Sequence, residues 1–138
     1  MTRLQALSSL VIASTLSIAL ACIPAQAKSN RLISSGLTDL VNELNKQTPL
    51  KVDSDTRLDS VATFANYMIY NNTLTDFDAE EVNPQLVAQH FEENVISQLC
   101  AMENFRPFIE LELVMVYRYT DKNGKFITEL SKDLSSCV

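Results

Sequence analysis

The chain has 138 residues, of which 46% are hydrophobic and 20% are charged, and its formal net charge is −6. This length supports one domain with one hydrophobic core, but not two. The acidic balance, without any run of basic residues, argues against nucleic acid as a partner and against binding to an anionic lipid surface.

The first 27 residues have the three parts of a secretory signal. Arg3 lies in a short charged start, an apolar run follows, and a small-x-small site at residues 25–27 ends the segment. The apolar run contains several Ser and Thr and is shorter than the roughly 20 strongly apolar residues that cross a bilayer. We therefore expect residues 1–27 to be a signal peptide and residues 28–138 to be a single α+β domain in the periplasm, with a net charge of −7 once Arg3 is removed.

A second processing route is open at Cys22. The segment Leu20-Ala21-Cys22 can also be interpreted as a lipobox, in which Cys22 is acylated and becomes the first residue of a lipoprotein. Ala19 stands where a lipobox favours Leu, and the site at residues 25–27 is the better match. Soluble periplasmic protein is therefore the first expectation, and an outer-membrane-anchored lipoprotein is the alternative. A membrane contact is expected only if Cys22 is acylated.

Two of the three cysteines, Cys100 and Cys137, remain after the signal is removed. An oxidising compartment favours their pairing as a disulfide. In the chain-entropy model this cross-link stabilises the domain by roughly 3–4 kcal/mol. A free catalytic Cys100 is the competing interpretation, but His90 is about 15 Å away along the same predicted helix, too far to act as its base.

The first predicted element of the mature chain is an amphipathic helix over residues 30–46, which ends before Pro49. Its apolar stripe consists of Ile33, Leu37, Leu40, Val41 and Leu44. Residues 56–65 and 67–75 follow and are rich in β-branched and aromatic side chains. These two segments predict a β-hairpin with a tight turn at Ala65-Asn66.

A second helix is predicted from Pro84 to about Met102, with Asn83 as its N-cap. The side chains expected on its buried stripe are Val87, Ala88, Phe91, Val95, Leu99 and Met102. Cys100 is placed on the flank of this helix together with Ile96 and Leu86. The chain end that carries Cys137 is therefore expected to pass along that flank.

The last third of the chain predicts another pair of strands. Residues 111–120 are apolar on both alternating sets, which is typical of a central strand. Asp121-Lys122-Asn123-Gly124 predicts a hairpin turn with positive φ at Asn123-Gly124. Residues 125–130 alternate, with Phe126 and Leu130 on the same face. The expected fold is α+β: an antiparallel sheet of about four strands with two main helices, in the order helix-strand-strand-helix-strand-strand, and one disulfide.

Catalysis finds little support among the residues present. The single histidine, His90, excludes a two-histidine metal site, and the two glycines of the chain exclude a glycine-rich phosphate loop. The carboxylate pairs Glu80-Glu81, Glu92-Glu93 and Glu110 with Glu112 are better explained as solvated charge than as the acid–base pair of a small hydrolase. We expect no catalytic residue, no metal and no cofactor, and a hydrolase is kept only as a further alternative.

Aromatic residues of the predicted strands suggest a surface for a partner. Met115, Tyr117 and Tyr119 recur at strand spacing, and Phe126 begins the next strand. Core packing is the ordinary explanation of such residues. The sharper hypothesis is that these four side chains line a groove for a helix or strand of a partner, because tyrosine and methionine are favoured at interfaces.

Four features of the chain carry a family resemblance: LNKQTPLKV at the end of the first helix, SQLCAMENFRPFI around Cys100, YRYTDKNGKFITEL, and the terminal Cys137. Together they resemble the β-type pilotins of the type II secretion system, which are small outer-membrane lipoproteins that escort secretin subunits. The resemblance spans most of the mature chain and implies both the fold and a binding function. It assigns no binding residue, because no contact residue can be matched one by one.

The sequence thus predicts a non-catalytic envelope or periplasmic binding protein whose partner is another envelope protein, with pilotin-like escort as the specific form. The alternative is an acidic inhibitor or immunity-type protein that binds a periplasmic enzyme. An exposed acidic protrusion near residues 76–81 favours the inhibitor, whereas an apolar groove favours the escort.

Overall fold

A computed structural model describes the backbone of residues 25–137 and the side chains from Ser34 onward. Cys22 and most of the predicted signal peptide lie outside the described residues, so both processing routes stay predictions. Among residues 25–137, no helix has the length and apolar character needed to cross a membrane.

The described chain contains helices, strands and short 3₁₀ segments around a single sheet. The α-helices are α1 (Ala25–Asn45), α2 (Pro84–Asn94) and α3 (Arg106–Glu110). The strands are β1 (Leu50–Lys51), β2 (Thr56–Phe64), β3 (Tyr67–Leu74), β4 (Val114–Asp121) and β5 (Phe126–Asp133). The 3₁₀ segments are Ile96–Ala101, Glu103–Phe105 and Leu134–Cys137.

The sheet is mixed, with the strand order β1-β2-β3-β4-β5. Both predicted hairpins, β2–β3 and β4–β5, are antiparallel, but β3 and β4 run parallel. The crossover that contains α2 returns the chain to the starting end of β3, as a parallel pair requires. The α+β class is confirmed. The expectation of a purely antiparallel sheet of four strands is wrong, because it missed the short strand β1 and the parallel pairing across a helix.

The helices cover one face of this sheet. Helix α1 packs on β2, and α2 packs on β5. Leu37 and Val41 of the predicted first stripe are buried in the core, and Leu40 and Leu44 pack against it half-buried. The side chain of Ile33 lies outside the described residues.

Helix α2 is shorter than predicted. Asn83 caps it as expected, its Oδ1 accepting a hydrogen bond from the Gln85 backbone N–H at 2.9 Å. The α-helix ends at Asn94, and the chain continues as 3₁₀ helix. Because a 3₁₀ turn has 3.0 residues instead of 3.6, the buried side shifts. Ile96, placed on the flank by the wheel, is 1% exposed, whereas Met102, expected to be buried, is 40% exposed.

The β4–β5 turn also changes the predicted face of β5. Gly124 has a φ of 82°, and Asn123 does not adopt a positive φ. Tyr119 pairs with Thr128 and Thr120 pairs with Phe126, so the ladder carries one extra residue at this point. A bulge of this kind reverses the facing of the residues beyond it. Phe126 is therefore 58% exposed, and the prediction that it shares a face with Leu130 is wrong.

Two cross-connections fix the edges of the fold. The Sγ atoms of Cys100 and Cys137 lie 1.96 Å apart, which joins the 3₁₀ segment after α2 to the chain end. At the opposite edge, the side-chain amide of Asn45 makes the two hydrogen bonds to Val61 that a neighbouring strand would make. Its Nδ2 donates to the Val61 carbonyl at 2.8 Å, and its Oδ1 accepts from the Val61 N–H at 2.7 Å. Strand β1 pairs only with Arg57 and Leu58 of β2, and Asn45 satisfies the backbone groups of Val61 further along the same edge.

Candidate functional site

A groove of about 610 Å³ lies at the end of the sheet where α2 begins. We call it the α2 groove. Its apolar lining comes from Leu74, Phe77, Val82, Leu86, Val87 and Phe91. Its polar rim comes from Asp53, Ser54, Asp55, Thr56, Asn83 and His90. This composition, apolar walls with a few polar groups at the rim, is typical of a binding site.

Leu86 is the most exposed apolar side chain of the α2 groove, with 65% of its surface accessible. It occupies the third position of α2, where the Asn83 cap and Pro84 fix the first turn. Phe91 of the same helix is buried in the core, whereas Leu86 is not covered by any other part of the described chain. An apolar side chain held at the mouth of an apolar groove is available to a partner.

Phe91, one of the residues that line the α2 groove, packs on a buried tyrosine behind it. Phe91 stacks on Tyr119 with ring centroids 3.9 Å apart and an interplanar angle of 11°. Burial raises the pKa of Tyr119, and the nearby carboxylate of Asp53 raises it further. Both effects favour the neutral phenol, so the stack behind Phe91 carries no charge.

One wall of the groove, residues 75–83, is tied to the β4–β5 turn by a buried carboxylate. Asp121 Oδ2 accepts a hydrogen bond from the Ala79 N–H at 3.0 Å. Its Oδ1 accepts from the N–H groups of Asn123 and Lys125, both at 2.8 Å. These backbone donors, with Ala79 first, hold the pKa of the Asp121 carboxyl below its usual value.

The acidic side chains of this wall are paired with lysines of the turn. Asp78 forms an ion pair with Lys122 at 2.7 Å, and Glu80 forms one with Lys125 at 3.0 Å. The Asn123 side chain also donates to Asp78 at 2.8 Å. Residues 75–83 are thus attached to the body of the protein, and two of their carboxylates are already matched by its own cations.

The four residues predicted to line a partner groove are not brought together. Met115 and Tyr119 are buried in the core. Tyr117 is half-buried and stacks on Tyr70 with centroids 5.1 Å apart. Phe126 points to the opposite face of the sheet. Met115, Tyr117 and Tyr119 alternate onto the face of β4 that the helices cover, so they pack in or against the core.

The residues considered for catalysis do not assemble either. The six glutamates of the three carboxylate pairs are exposed, and none lines the α2 groove. The pKa values of the Asp121 and Asp133 carboxyls are both lowered, the reverse of what a general acid needs. No group of three or more His, Cys, Asp or Glu side chains among the described residues is placed to hold a metal ion.

Sequence reasoning missed the residues that do form the groove. Leu86 lies off the buried stripe of its helix, and Phe77 is a lone aromatic in an acidic segment. Each is an apolar residue that no predicted core contact explains. That signal was present in the sequence, but the pairing of residues 75–83 with the β4–β5 turn, which brings the two together, is non-local.

The sequence matches no protein-family model, and no curated protein is significantly similar to it. Solved structures do share its fold. The pilotin EpsS from the Vibrio vulnificus type 2 secretion system superposes with a TM-score of 0.64 at 14% identity, over 81% of this chain and 97% of that one. The type II secretion pilotin AspS from Vibrio cholerae gives 0.63 at 13% identity, over 83% and 100%.

A protein from Pseudomonas aeruginosa described as secreted gives a TM-score of 0.61 at 18% identity, over 80% of this chain and 96% of that one. At these identities the likeness defines the fold. The chain therefore has the α+β fold of type II secretion pilotins, and the resemblance stated from its sequence is confirmed at that level.

Proposed function

We propose that this protein is a non-catalytic binding protein of the bacterial envelope that escorts a component of a secretion system, in the manner of a pilotin. The observation that carries the proposal is an open apolar groove, with Leu86 uncovered at its mouth, on a pilotin fold. Asp78 and Glu80 of residues 75–83 are ion-paired with Lys122 and Lys125, which reduces the charge that this segment offers to a basic enzyme and supports escort over the acidic inhibitor.

The proposed occupant of the α2 groove is an apolar segment of a secretin subunit. A groove of this size accepts a few apolar side chains, such as those that an amphipathic helix presents at positions i, i+3 and i+4. Asp53 and Asp55 on the rim disfavour an acidic segment at that end of the groove. We expect the affinity to come from burial of Leu86 and Phe77 by the bound segment, and the acidic rim to select against acidic segments.

The processing route decides where such an escort acts. Delivery to the outer membrane by an acyl anchor requires lipidation at Cys22, whereas cleavage after Ala27 gives a soluble periplasmic carrier of the same segment. The intact mass of the protein from its native envelope distinguishes a start at Lys28 from a start at an acylated Cys22.

The binding proposal is tested by calorimetry with residues 28–138 and peptides that cover the amphipathic helical segments of the secretin of the same organism. Leu86→Asp is expected to weaken binding at least about tenfold, because burying a leucine side chain contributes roughly 1.5–3 kcal/mol and 1.4 kcal/mol is a factor of ten. Aspartate in the first turn of a helix is favoured by the helix dipole, so the fold is retained.

Phe126→Asp is the matched control, because Phe126 is similarly exposed but lies on the other face of the sheet. It is expected to bind like the wild type. Binding that survives Leu86→Asp would contradict the assignment of the α2 groove as the binding site. No binding by the wild-type protein would remove the escort proposal.

A further inference from the structure

The face of the sheet opposite the helices carries an apolar cluster at its hairpin end. Strand register places Phe64, Tyr67 and Val114 side by side, and Ala62, Ile69 and Val116 in the next row on the same face. We call these six residues the back patch. Phe64 is 75% exposed and Tyr67 is 42% exposed. Val116 is buried by its neighbours but does not belong to the core cluster.

The other half of the same face is polar, as a solvated sheet face should be. Arg57 pairs with Asp59 at 2.5 Å, and Arg118 pairs with Glu129 at 2.7 Å. Among the described residues, the helices pack on the opposite face, so folding gives no reason for the back patch to be apolar. An exposed apolar cluster of this kind marks an interaction site.

Backbone strain borders the same patch. Ala65, in the turn between Phe64 and Tyr67, has a φ of 53°, and Glu112, just before β4, has a φ of 51°. Non-glycine residues in this region cost energy, and such residues concentrate at functional sites. Asn66 connects the two by donating from Nδ2 to the Glu112 carbonyl at 3.1 Å. The strained turn holds the two aromatic side chains in place on the surface.

The charge around the back patch indicates what binds there. Glu112, whose carbonyl accepts from Asn66 in the turn beside the patch, lies just before β4 and is exposed. Asp133, also exposed, is the register partner of Val114, and hydrogen bonds from Ser135 lower its pKa. The rim of the patch is therefore negative on a chain that is itself acidic. A second copy and an anionic membrane are both repelled, whereas a basic partner is attracted.

We propose that the back patch is a second interaction surface, which binds a protein segment with apolar side chains flanked by Lys or Arg. It lies at the far end of β2 from the α2 groove, about 25 Å away for a strand of nine residues. The two surfaces are separate, so a partner on one leaves the other open.

The test is site-specific crosslinking in the native host, with Phe64 of the full chain replaced by p-benzoylphenylalanine. Phe126, exposed at the polar end of the same face, takes the same replacement as the control. We expect a discrete protein adduct from position 64 and not from 126, with a crosslinked peptide that contains basic residues beside apolar ones. Glu112→Lys with Asp133→Asn is expected to reduce its yield at least about fivefold, and Leu86→Asp to leave it unchanged.

The proposal would be overturned by an adduct of twice the chain mass, by equal yields from positions 64 and 126, or by no adduct. Flotation of the purified protein with phosphatidylethanolamine–phosphatidylglycerol vesicles, lost on Phe64→Ser, would replace the protein partner by a membrane. Loss of the adduct in Leu86→Asp would assign it to the α2 groove. Because the calorimetric experiment monitors the other end of the sheet, either proposal can fail without the other.

Discussion

Asp121 shows how one side chain sets the shape of the candidate site. Its two carboxylate oxygens accept hydrogen bonds from backbone N–H groups of the groove wall and of the β4–β5 turn, and the residue is almost completely buried. The sequence marked this position only as the start of a hairpin turn. Its second role, holding residues 75–83, depends on a contact 42 residues away with Ala79.

The lowered pKa of Asp121 predicts a specific acid dependence. A carboxyl whose pKa is lower in the folded than in the unfolded state stabilises the fold fully above the unfolded pKa of about 3.9. That stabilisation is lost as the pH falls through the lowered folded value. Asp121→Asn is therefore expected to reduce the urea midpoint at pH 7 and to reduce it much less at pH 2. An equal reduction at both pH values would show that the charge of Asp121 does not matter.

At the scale of elements, local patterns predicted most of the helices and strands. The β2–β3 hairpin has its turn at Ala65-Asn66 as expected, and α2 begins at Pro84 behind its Asn83 cap. The predictions that were wrong depended on non-local strand pairing or on the number of residues per helical turn. The parallel pairing of β3 with β4 is decided by how α2 packs, and the 3₁₀ segment after Asn94 exchanged the burial of Ile96 and Met102.

The link between the chain end and the 3₁₀ segment gives a prediction at this scale. Cys100 and Cys137 are separated by 37 residues, for which the chain-entropy model gives a stabilisation of roughly 4 kcal/mol. Cys100→Ser with Cys137→Ser is expected to lower the free energy of unfolding by about that amount, as measured by urea denaturation. Leu134 is buried just before the end, so the variant should still fold.

Reduction of the wild-type protein provides the control for this comparison. The reduced wild type should unfold at the same urea concentration as the double serine variant, because both lack the cross-link. A variant as stable as the oxidised wild type would mean that the cross-link constrains the unfolded chain very little.

At the scale of the whole molecule, two apolar surfaces lie at opposite ends of one sheet. The α2 groove lies at the end where β3 and β4 finish, and the back patch lies at the hairpin end on the other face. The sequence predicted a partner groove from strand residues, but Met115 and Tyr119 among them are core. Leu86 is exposed on the first turn of α2, and Phe77 is positioned beside it because residues 75–83 fold back onto the β4–β5 turn.

The central proposal is that the protein escorts a secretin subunit by binding one of its apolar segments in the α2 groove. Its most direct test is the amount of secretin multimer in outer-membrane fractions of the native host, with the chromosomal gene carrying either Leu86→Asp or Phe126→Asp. We expect severalfold less multimer with Leu86→Asp and a wild-type amount with Phe126→Asp, at equal levels of both variant proteins. A wild-type amount of multimer with Leu86→Asp would contradict the escort proposal.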